Sequence, residues 1–497
     1  MANFTVSRAL IVFFFLLGRT SADQLDAAEN LCGQLDEGFN SFTYLPGNTL
    51  YKELSEENWS QTAWGNPTCI FQPNAASDLQ AVVPLLVGAN ISFAIRSGGH
   101  SPSPGGANID HGVLIDMSRF NDVHYLADEN AAVVGSGQTW EHVYTQLDQY
   151  NVTVVGGRVL DVGVGGLTLG SGLSYMSDLY GLTCDNVIDF EVVLANGSLV
   201  DANMESNPDL FWALKGGANN FGIVTSFKLS AYPIHEVWGG VKGYSLEDLP
   251  ALLKAALEYQ SAPHKDPYAN FMMQGFPTNS SFGIIMNIVY LKPEVSPPAF
   301  EPFYRINTTS DTTKLRSYTD FLSGQALFDI PRADWRATSF EPDESLYATI
   351  ENIITESAAL KQIQSVTSGS LAFGLQPIST SLVDAGRQRG GNALGLKPVN
   401  QTWWVLDSLW WSPEDDELVH NSTRTMVDDI EVAAKSGDKY LPYQFMNDAS
   451  WDQPVIAHYG EENVRRLWEV QAKYDPDLVF QRLVPGGFKL PLSDTRI

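Results

Sequence analysis

A glycine-rich turn that ends in a histidine is the first group of residues able to support ligand chemistry. The turn, Arg96-Ser97-Gly98-Gly99-His100, directly follows a short β-rich run at Ile91–Ile95. Two adjacent glycines let the backbone turn tightly and present N–H groups to an anion. Such a turn is suited to bind a ligand that carries phosphate, although Gly-Gly turns are also common without a ligand.

A second glycine-rich stretch strengthens this interpretation. Five glycines fall within ten residues, at Gly163, Gly165, Gly166, Gly170 and Gly172. Their spacing lets a flat or phosphorylated ligand lie against bare backbone. The stretch has neither a Walker G-K-[ST] sequence nor a clean G-x-G-x-x-G between strand and helix, so a nicotinamide-type dinucleotide site is disfavoured. A glycine-rich turn without a ligand is the alternative, and the presence of two such regions counts against it.

The elements that position these turns alternate between helix and strand signals from residue 67 to 235. From 236 to 440 the pattern predicts a sheet with covering helices. Three apolar segments of this part either line a hydrophobic pocket or form the core of the sheet. They are Phe271–Phe276, Ile284–Tyr290 and Trp403–Trp411.

The composition excludes several classes of partner. The 497 residues include 58 Asp plus Glu against 30 Lys plus Arg, a formal net charge of −28. Such acidity argues against nucleic acid and against an anionic membrane surface as partners. No stretch after the N-terminus reaches about 18 uninterrupted apolar residues, so no membrane span is expected. The length predicts two or more lobes.

The N-terminus predicts entry into the secretory pathway. Arg8 precedes an apolar run at 9–17, and Thr20-Ser21-Ala22 provides small residues for cleavage, so residues 1–22 are typical of a signal peptide. The protein is therefore expected to be secreted or held in a vesicle or vacuole. Later N-x-S/T sequons agree with this route. They lie at Asn58, Asn90, Asn151, Asn196, Asn279, Asn307, Asn400 and Asn421.

The chain contains three cysteines, Cys32, Cys69 and Cys184. In an oxidising compartment two of them can pair and one is left over. Cys32 and Cys69 lie near the mature N-terminus, outside the apolar segments, and are favoured as the pair. Cys184 lies in the apolar run GLTCDNV and is predicted to be a buried thiol.

Four ordered motifs resemble those of one flavoprotein family. The segment RSGGHSPSPGGANIDHGVLIDMSRF (96–120) resembles the flavin-attachment segment of the vanillyl-alcohol-oxidase superfamily, and VGVGGLTLGSGLSYMSDLYGLTCDNV (162–187) resembles its second FAD loop. Residues 207–224 match its next signature, NPDLFWALKGG followed by NFGIV. The runs YGEENVRRLWEVQAKYDPDLVF (459–480) and PGGF (485–488) resemble the tail of the berberine-bridge-enzyme branch. The chain thus resembles the fungal FAD-linked oxidoreductases of secondary metabolism over nearly all of its mature length.

The resemblance implies an α+β fold of two lobes with FAD as the cofactor. A PCMH-type FAD-binding domain of two small α/β subdomains would occupy residues 62–235, after the signal (1–22) and an N-terminal segment (23–61). An antiparallel sheet covered by helices would form the substrate lobe at 236–440, and residues 441–497 would return to the FAD domain. No metal site is predicted.

By the same resemblance, His100 matches the histidine that bonds covalently to the flavin 8α-methyl group. The other residues expected to contact FAD are Arg96, Ser97, Gly98, Gly99, Ser101, Gly163, Gly166, Gly170, Ser171, Gly172, Asp185, Asn186, Ile223, Val224 and Asn447. Val159 stands where many relatives carry a second, flavin-bonding cysteine, so attachment through His100 alone is expected. Val162 matches the position that gates oxygen access, and its small side chain favours O2 as the electron acceptor.

The catalytic base is where this chain departs from sugar-oxidising relatives. They carry an Asn-Tyr-x-Asp pattern whose tyrosine takes the substrate proton, whereas this chain has Met446-Asn447-Asp448-Ala449. If Asp448 is buried, desolvation raises its pKa toward the range useful for a base. A helix cap or a solvated turn residue is the alternative for Asp448, and Tyr443 is a second candidate for the base.

The expected activity is removal of hydride from an alcohol, amine or related carbon of a small apolar intermediate, with O2 reduced to H2O2. Coupled ring closure is implied by the resemblance alone. The alternatives are a secreted oligosaccharide oxidase on the same fold and a non-catalytic flavoprotein. The missing tyrosine and the missing second flavin-bonding residue count against the sugar oxidase, and a non-catalytic protein would show no bleaching of its flavin by a substrate.

Overall fold

A computed structural model describes residues 21–39, 41–279, 281–324 and 331–492 of the chain. The strands within these ranges form three sheets, two smaller ones from the first half of the chain and a larger one from the second. The predicted signal peptide, residues 1–22, lies almost entirely outside the described residues. No helix in the described ranges is long and apolar enough to cross a membrane.

The first sheet leads into the turn that ends at His100. Its strands are β1 (Thr43–Tyr44), β2 (Cys69–Phe71), β3 (Phe93–Arg96) and β4 (Val113–Asp116), and its helices are α1 (Ser21–Gly38), α2 (Tyr51–Ser55) and α3 (Ala76–Ala89). The strand order is β1-β2-β4-β3, and β4 pairs in parallel with both β2 and β3. Helix α3 covers the sheet because Leu79, Val82, Val83 and Leu86 recur at helical spacing and are all buried.

The second sheet carries the second glycine-rich stretch. Its strands are β5 (Val123–Leu126), β6 (Ala131–Gly135), β7 (Thr153–Val154), β8 (Val187–Val193), β9 (Leu199–Asn203) and β10 (Ile223–Tyr232). Its helices are α4 (Trp140–Asp148), α5 (Val164–Leu169), α6 (Ser177–Tyr180) and α7 (Pro208–Leu214). The pairing is antiparallel, in the order β5-β6-β10-β8-β9 with β7 beside β10. Strands β8 and β9 form the hairpin that the turn Ala195-Asn196-Gly197-Ser198 predicts.

The third sheet forms the second lobe and is antiparallel, as expected. Its strands are β11 (Glu236–Tyr244), β12 (Ala269–Gly275), β13 (Ile284–Tyr290), β14 (Ser310–Asp311), β15 (Lys314–Ser317), β16 (Arg332–Phe340), β17 (Ser370–Ile378), β18 (Gln401–Trp410) and β19 (Tyr440–Leu441). The helices of this lobe are α8 (Leu249–Gln260), α9 (Glu301–Tyr304), α10 (Tyr318–Ser323), α11 (Glu344–Glu356), α12 (Ala358–Ser365), α13 (Thr380–Gln388) and α14 (Asp416–Ser436). The main strand order is β14-β11-β13-β12-β17-β18-β16-β19, with β15 also paired to β11.

The two faces of this third sheet have different neighbours. Side chains alternate along a strand, so consecutive residues of β18 point to opposite faces. Trp404 and Leu406 pack with the covering helices in one apolar core, whereas Val405 and Asp407 face a cavity between the lobes. The three apolar segments singled out in the sequence therefore contribute to both the core and a pocket.

The C-terminal segment closes on the first lobe. After α15 (Glu461–Tyr474) and α16 (Val479–Arg482), the Leu483 carbonyl accepts the Phe93 N–H of β3 at 2.7 Å. The side chain of Asn220 donates to the Phe488 carbonyl at 2.8 Å. Gly486 presses so closely against Gly105 that a side chain there would overlap the Gly105 carbonyl. The last described residues are thus part of the packing of the first lobe.

A disulfide joins Cys32 of α1 to Cys69 of β2, the pair that the sequence favours, with the two Cα atoms 5.8 Å apart. Cys184 is a buried free thiol, also as predicted. The bond ties the N-terminal helix to the first sheet, where both half-cystines are buried.

The sequons differ in their exposure. Asn58 is only 2% exposed, and its Oδ1 accepts a hydrogen bond from the buried Arg96 at 3.2 Å. A glycan has no room there, so the prediction of glycosylation at Asn58 is wrong for the folded chain. The side chains of Asn279 and Asn400 are half-buried. The exposed sequons, where glycosylation stays a prediction, are Asn90, Asn151, Asn196, Asn307 and Asn421.

Removing the disulfide should destabilise the fold. The two cysteines are 37 residues apart, and closing a loop of that length in the unfolded chain contributes about 2–4 kcal/mol to the free energy of unfolding. Urea unfolding of a Cys32→Ala/Cys69→Ala variant should show this loss, and a reductant should leave the midpoint of the variant unchanged. A variant with the midpoint of the natural chain would contradict a stabilising role.

Candidate active site

A cavity of about 820 Å³ lies between the two smaller sheets and the third sheet. One wall is backbone from the two glycine-rich stretches, at residues 97–101 and 163–166, and is called the glycine wall below. The opposite wall is the inner face of the third sheet. Most of its lining is apolar, with a small number of charged groups. Clefts of this size that converge on few polar groups are the usual form of a small-molecule site.

The glycine wall exists because two loops touch backbone to backbone. A Cβ on Gly98 would lie only 2.5 Å from the Gly163 nitrogen, so neither position accepts a side chain. Ser97 ties the same two loops together: its hydroxyl donates to the Ser136 carbonyl at 2.6 Å and accepts the Gly165 N–H at 3.1 Å. A Cβ on Gly166, by contrast, would meet nothing within 4 Å and would project into the cavity. The wall therefore offers bare backbone to a flat or phosphorylated ligand.

His100 stands at the edge of this wall in an aromatic pocket. Its ring stacks on Trp59 with centroids 4.8 Å apart and planes inclined by 8°, and Trp335 lies 5.6 Å away. Burial lowers the pKa of the His100 imidazole, and Asp161, 3.8 Å from Nε2, opposes this only in part. Nε2 is buried without a hydrogen-bond partner in the described part of the chain. A neutral imidazole with an unsatisfied nitrogen in a ligand-sized cavity suits bond formation to a cofactor, so the residues present fit FAD.

The predicted FAD contacts, together with the predicted oxygen gate Val162 and the candidate base Tyr443, divide into two groups. The residues that line the cavity are His100, Ser97, Gly98, Gly99, Ser101, Val159, Val162, Gly163, Gly166, Ile223, Val224 and Asn447. The residues that lie outside its lining are Arg96, Gly170, Ser171, Gly172, Asp185, Asn186 and Tyr443.

Arg96 has a structural position that the sequence does not reveal. Its guanidinium is 1% exposed and is held by two carboxylates, Asp116 at 2.7 Å and Glu57 at 2.9 Å. It also donates to the Leu54 carbonyl at 2.6 Å. Because the side chain points away from the cavity, the expectation that Arg96 contacts FAD is corrected: it fastens the end of β3 from behind.

The segment Gly170-Ser171-Gly172, like Arg96, lies outside the cavity lining. The Gly172 N–H donates to Oδ1 of Asn447 at 3.1 Å, and Gly170 packs against the same amide. The segment thus orients Asn447, which does line the cavity.

The polar atoms of Asp185 and Asn186 are occupied by hydrogen bonds within the protein. Asp185 accepts the Leu182 N–H at 2.9 Å and the Asn392 amide at 2.8 Å. Asn186 donates to the Leu182 carbonyl at 2.7 Å. Direct contact of these two residues with FAD is therefore replaced by a role in shaping the loop.

Tyr443 is excluded from the base position by its surroundings. The ring is 4% exposed and packs against Trp403 with centroids 4.9 Å apart. Its hydroxyl lies 3.5 Å from that of Ser171, and burial raises its pKa above the ordinary value of 10. A phenol held there does not reach the cavity.

Asp448 does reach the cavity. It ends the 3₁₀ turn Met446–Asp448 and lines the site beside Asn447. Its Oδ2 accepts a hydrogen bond from the Gln376 amide at 2.7 Å. Burial raises the pKa of Asp448, while the positive charge of Arg158 and the Gln376 hydrogen bond oppose the rise. Asp448 is therefore a half-buried residue of the cavity wall and not a solvated turn residue.

A second carboxyl, Asp407, lines the same cavity and was not singled out by sequence reasoning. It lies on β18, in register between Trp335 of β16 and Ala372 of β17, which also line the site. Burial raises the pKa of Asp407 well above its ordinary value, and the negative charge of Asp448 raises it further. The signal in the sequence that could have identified Asp407 is its position as the one acidic residue within the largely apolar run Trp403–Trp411.

Asp407 and Asp448 form a coupled pair. Two carboxyls that repel each other in a low-dielectric site do not both ionise readily, which agrees with the raised pKa of Asp407. Such a pair can accept a proton on one member and donate a hydrogen bond from the other. The two carboxyls can therefore act as an acid and a base on the side of the cavity that faces the glycine wall.

The loop after Asp448 is fastened to the third sheet by hydrogen bonds of Ser450 and Gln453. Ser450 donates to Oδ1 of Asp334 at 2.7 Å. The side chain of Gln453 accepts the Ala337 N–H at 2.9 Å and donates to the Ala337 carbonyl at 2.7 Å. These hydrogen bonds fix the position of Asp448 relative to the third sheet.

A charged cluster beside these bonds completes the attachment. Asp452 forms ion pairs with Arg336, Arg424 and His420. Hydrogen bonds to Asp334 at 2.9 Å and to Asp452 at 3.3 Å raise the pKa of His420 to about 9. Arg424 also approaches Nε2 of His420, at 2.9 Å, but the two carboxylates dominate and favour the charged imidazolium.

Comparisons with known proteins agree with this site. A family model described as an FAD binding domain matches residues 67–203. An FAD-dependent monooxygenase of Arthrobotrys oligospora is 37% identical over 469 residues, covering 92% of this chain and 89% of that protein. The bifunctional solanapyrone synthase of Alternaria solani is 34% identical over 92% of this chain and 88% of its own length.

Solved structures show the same fold at low identity. The xylooligosaccharide oxidase of Myceliophthora thermophila superposes with a TM-score of 0.76 at 19% identity, covering 95% of this chain and all of its own. A BBE-like protein of Physcomitrella patens gives 0.72 at 20% identity, covering 94% of this chain and all of its own. The glucooligosaccharide oxidase of Acremonium strictum, described with a 6-S-cysteinyl, 8α-N1-histidyl FAD, gives 0.74 at 17% identity, covering 95% and 100%.

The charged cluster predicts a pH dependence of stability. Because the pKa of His420 is raised from 6.5 to about 9 in the folded state, its contribution is fully present below about pH 6.5 and is lost as pH rises through 9. Melting temperatures measured from pH 6 to 10 should show the natural chain above a His420→Gln variant at low pH and the difference shrinking toward pH 10. A difference that is constant with pH would contradict a charged His420.

Proposed function

This chain belongs to the berberine-bridge-enzyme-like branch of the FAD-linked oxidoreductases in the vanillyl-alcohol-oxidase superfamily, and we propose that it oxidises a small apolar molecule at a carbon bearing oxygen or nitrogen. The observation that carries the proposal is the Asp407–Asp448 carboxyl pair, which faces the glycine wall across a largely apolar cavity. Bound FAD would supply the hydride acceptor. The electron acceptor that we propose for turnover is O2.

The residues that would hold FAD are those of the glycine wall together with His100. The unsatisfied Nε2 and the neutral state favoured by burial support a covalent bond to this imidazole. At the position of the second attachment found in some relatives, Val159 offers no nucleophile. We therefore propose one covalent link, in contrast to the two in the Acremonium strictum oxidase.

The carboxyl pair would accept the proton that the substrate loses from its heteroatom. Oxidising an alcohol or amine carbon requires loss of the proton on its heteroatom as the hydride leaves. A carboxylate in a desolvated site has a pKa near the working range and is a competent acceptor for that proton. The neighbouring carboxylic acid can meanwhile hydrogen-bond the substrate oxygen or nitrogen and orient it.

The shape and chemistry of the cavity favour an apolar substrate. The third sheet presents mainly hydrocarbon to it, through Met272, Phe276, Ile285, Val405 and Leu409. A sugar would leave many hydroxyl groups without hydrogen bonds against such a wall, at a cost of about 1–3 kcal/mol for each unsatisfied group. The apolar lining therefore supports an intermediate of secondary metabolism over an oligosaccharide, and coupled ring closure stays part of this proposal.

Val162 supports the choice of O2. It lines the cavity next to Gly163, and its side chain is small enough to leave space over the glycine wall. Oxidation by O2 would release H2O2, which gives the reaction a direct assay.

The disulfide supports a location in the secretory pathway. Bonds such as Cys32–Cys69 form and persist in oxidising compartments. We therefore propose that the protein enters that pathway and is secreted or retained in a vesicle or vacuole.

A His100→Ala variant should lose covalently bound flavin. After acid precipitation the natural protein should give a yellow pellet, whereas the variant should leave its flavin in the supernatant. A Val159→Ala variant serves as the control and should keep the yellow pellet. A colourless pellet from the natural protein would overturn the proposed attachment.

Replacing either carboxyl should slow the oxidation strongly. H2O2 release is first measured on a panel of apolar alcohols, amines and oligosaccharides, and the best substrate is then used for the variants. Asp407→Leu, which removes the hydrogen-bond donor, and Asp448→Asn should each lower kcat by about 10²–10⁴-fold, and the double variant should be little worse because the pair acts as a unit. Asp384→Asn, an exposed acid of α13, is the control. Oxidation of oligosaccharides alone would refute the apolar substrate.

A further inference from the structure

Gln376 joins a charged residue to one member of the carboxyl pair. It lies on β17, and its amide stands between Arg158 and Asp448. Arg158 donates from Nη2 to Oε1 of Gln376, and Nε2 of Gln376 donates to Oδ2 of Asp448 at 2.7 Å. Gln376 is absent from the lining of the main cavity, so it would act on a substrate only through Asp448.

Arg158 fixes the direction of the Gln376 amide. A guanidinium has five N–H donors and no acceptor, so only the amide oxygen can face it. The amide NH2 must then face Asp448, and it can only donate there. The ionised form of Asp448 accepts this bond better than the protonated form, and the Arg158 charge favours the same ionised form.

Asp407 has the opposite surroundings. Its neighbours in register are Trp335 and Ala372, neither of which places a side-chain donor against it. No hydrogen bond to the Asp407 carboxyl occurs in the described ranges, and the charges that act on it are those of Asp448 and Asp334, both negative. Everything around Asp407 therefore favours its neutral form.

We propose that Gln376, held in one orientation by Arg158, is a positioning residue that divides the roles of the pair: Asp448 is the anion that accepts the substrate proton, and Asp407 keeps the shared proton and donates a hydrogen bond. The inference rests on the proposed function for its catalytic meaning. In each turnover the heteroatom–H bond of the substrate breaks and an O–H bond forms on Asp448. The pair then holds two protons and returns one to solvent before the next turnover.

The titration behaviour is consistent with this division. Burial raises the pKa of both carboxyls, but Arg158 and Gln376 oppose the rise for Asp448, whereas Asp448 and Asp334 add to it for Asp407. Activity should therefore require Asp448 ionised, which sets the acid limb of the pH profile, and Asp407 protonated, which sets the alkaline limb.

Four variants test the role of Gln376 through the pH profile of kcat/KM. Gln376→Glu replaces the donor by a group of the same size that repels Asp448, and should move the acid limb to higher pH by about one unit. Gln376→Met removes the donor without adding charge and should move the limb less. Arg158→Met should move it in the same direction, whereas Arg158→Lys keeps the charge and should restore most of the natural profile. Reduced rates with an unmoved acid limb, or a shift to lower pH, would overturn the proposal.

A measurement without substrate separates this inference from the proposed function. Infrared difference spectra at pH 7 between the natural chain and each variant should show a protonated-carboxyl band lost in Asp407→Asn and kept in Asp448→Asn. The reverse pattern would overturn the inference even in an active enzyme. If the expected pattern is found but no compound of the panel is oxidised, the proposed function fails while the location of the proton stands. Melting temperature and flavin content, measured for each variant, identify any that fails to fold.

Discussion

The backbone contact between Gly98 and Gly163 is the constraint on which the rest of the site depends. Gly98 follows β3 of the first sheet and Gly163 precedes α5 beside the second sheet, and a side chain at either one would force the two loops apart. Their contact brings the two glycine-rich stretches into one wall and places His100 at its edge. Ser97 locks the arrangement through its hydrogen bonds with the backbone of Ser136 and Gly165. A bare, rigid surface of this kind suits a flat cofactor because it requires no rearrangement on binding.

The third sheet and the loop at Asp448 supply what the glycine wall lacks, namely carboxyl groups. The inner face of the sheet is apolar enough to make the carboxyl of Asp407 hard to ionise, and the loop at Asp448 is fastened over it by hydrogen bonds and by the cluster around Asp452. The strong charges of that cluster are confined to the far side of β16, next to α14. The protein thus keeps a rigid ionic attachment close to a catalytic pair without placing extra cations in the cavity.

Much of the fold and the cofactor wall was predictable from the sequence, because glycine spacing and ordered motifs report local backbone requirements. The disulfide was expected as well, and burial was one of the alternatives left open for Asp448. Asp407 was missed because the face that a strand residue occupies depends on register with β16 and β17. Arg96, Tyr443 and Asn58 were misjudged for a related reason: each lies in or near a meaningful motif, but tertiary neighbours far along the chain bury the side chain. Motifs locate a site, whereas packing decides which of their atoms reach it.

The closure of the first lobe by the C-terminal segment has a consequence for biosynthesis. Leu483, Gly486 and Phe488 complete contacts with strands and loops made hundreds of residues earlier. These contacts can form only once residues 483–488 have been synthesised, long after the strands and loops against which they pack. The first lobe therefore cannot complete its packing when only its own residues have left the ribosome, and stable capture of a cofactor has to wait until the second lobe and the returning segment have been made.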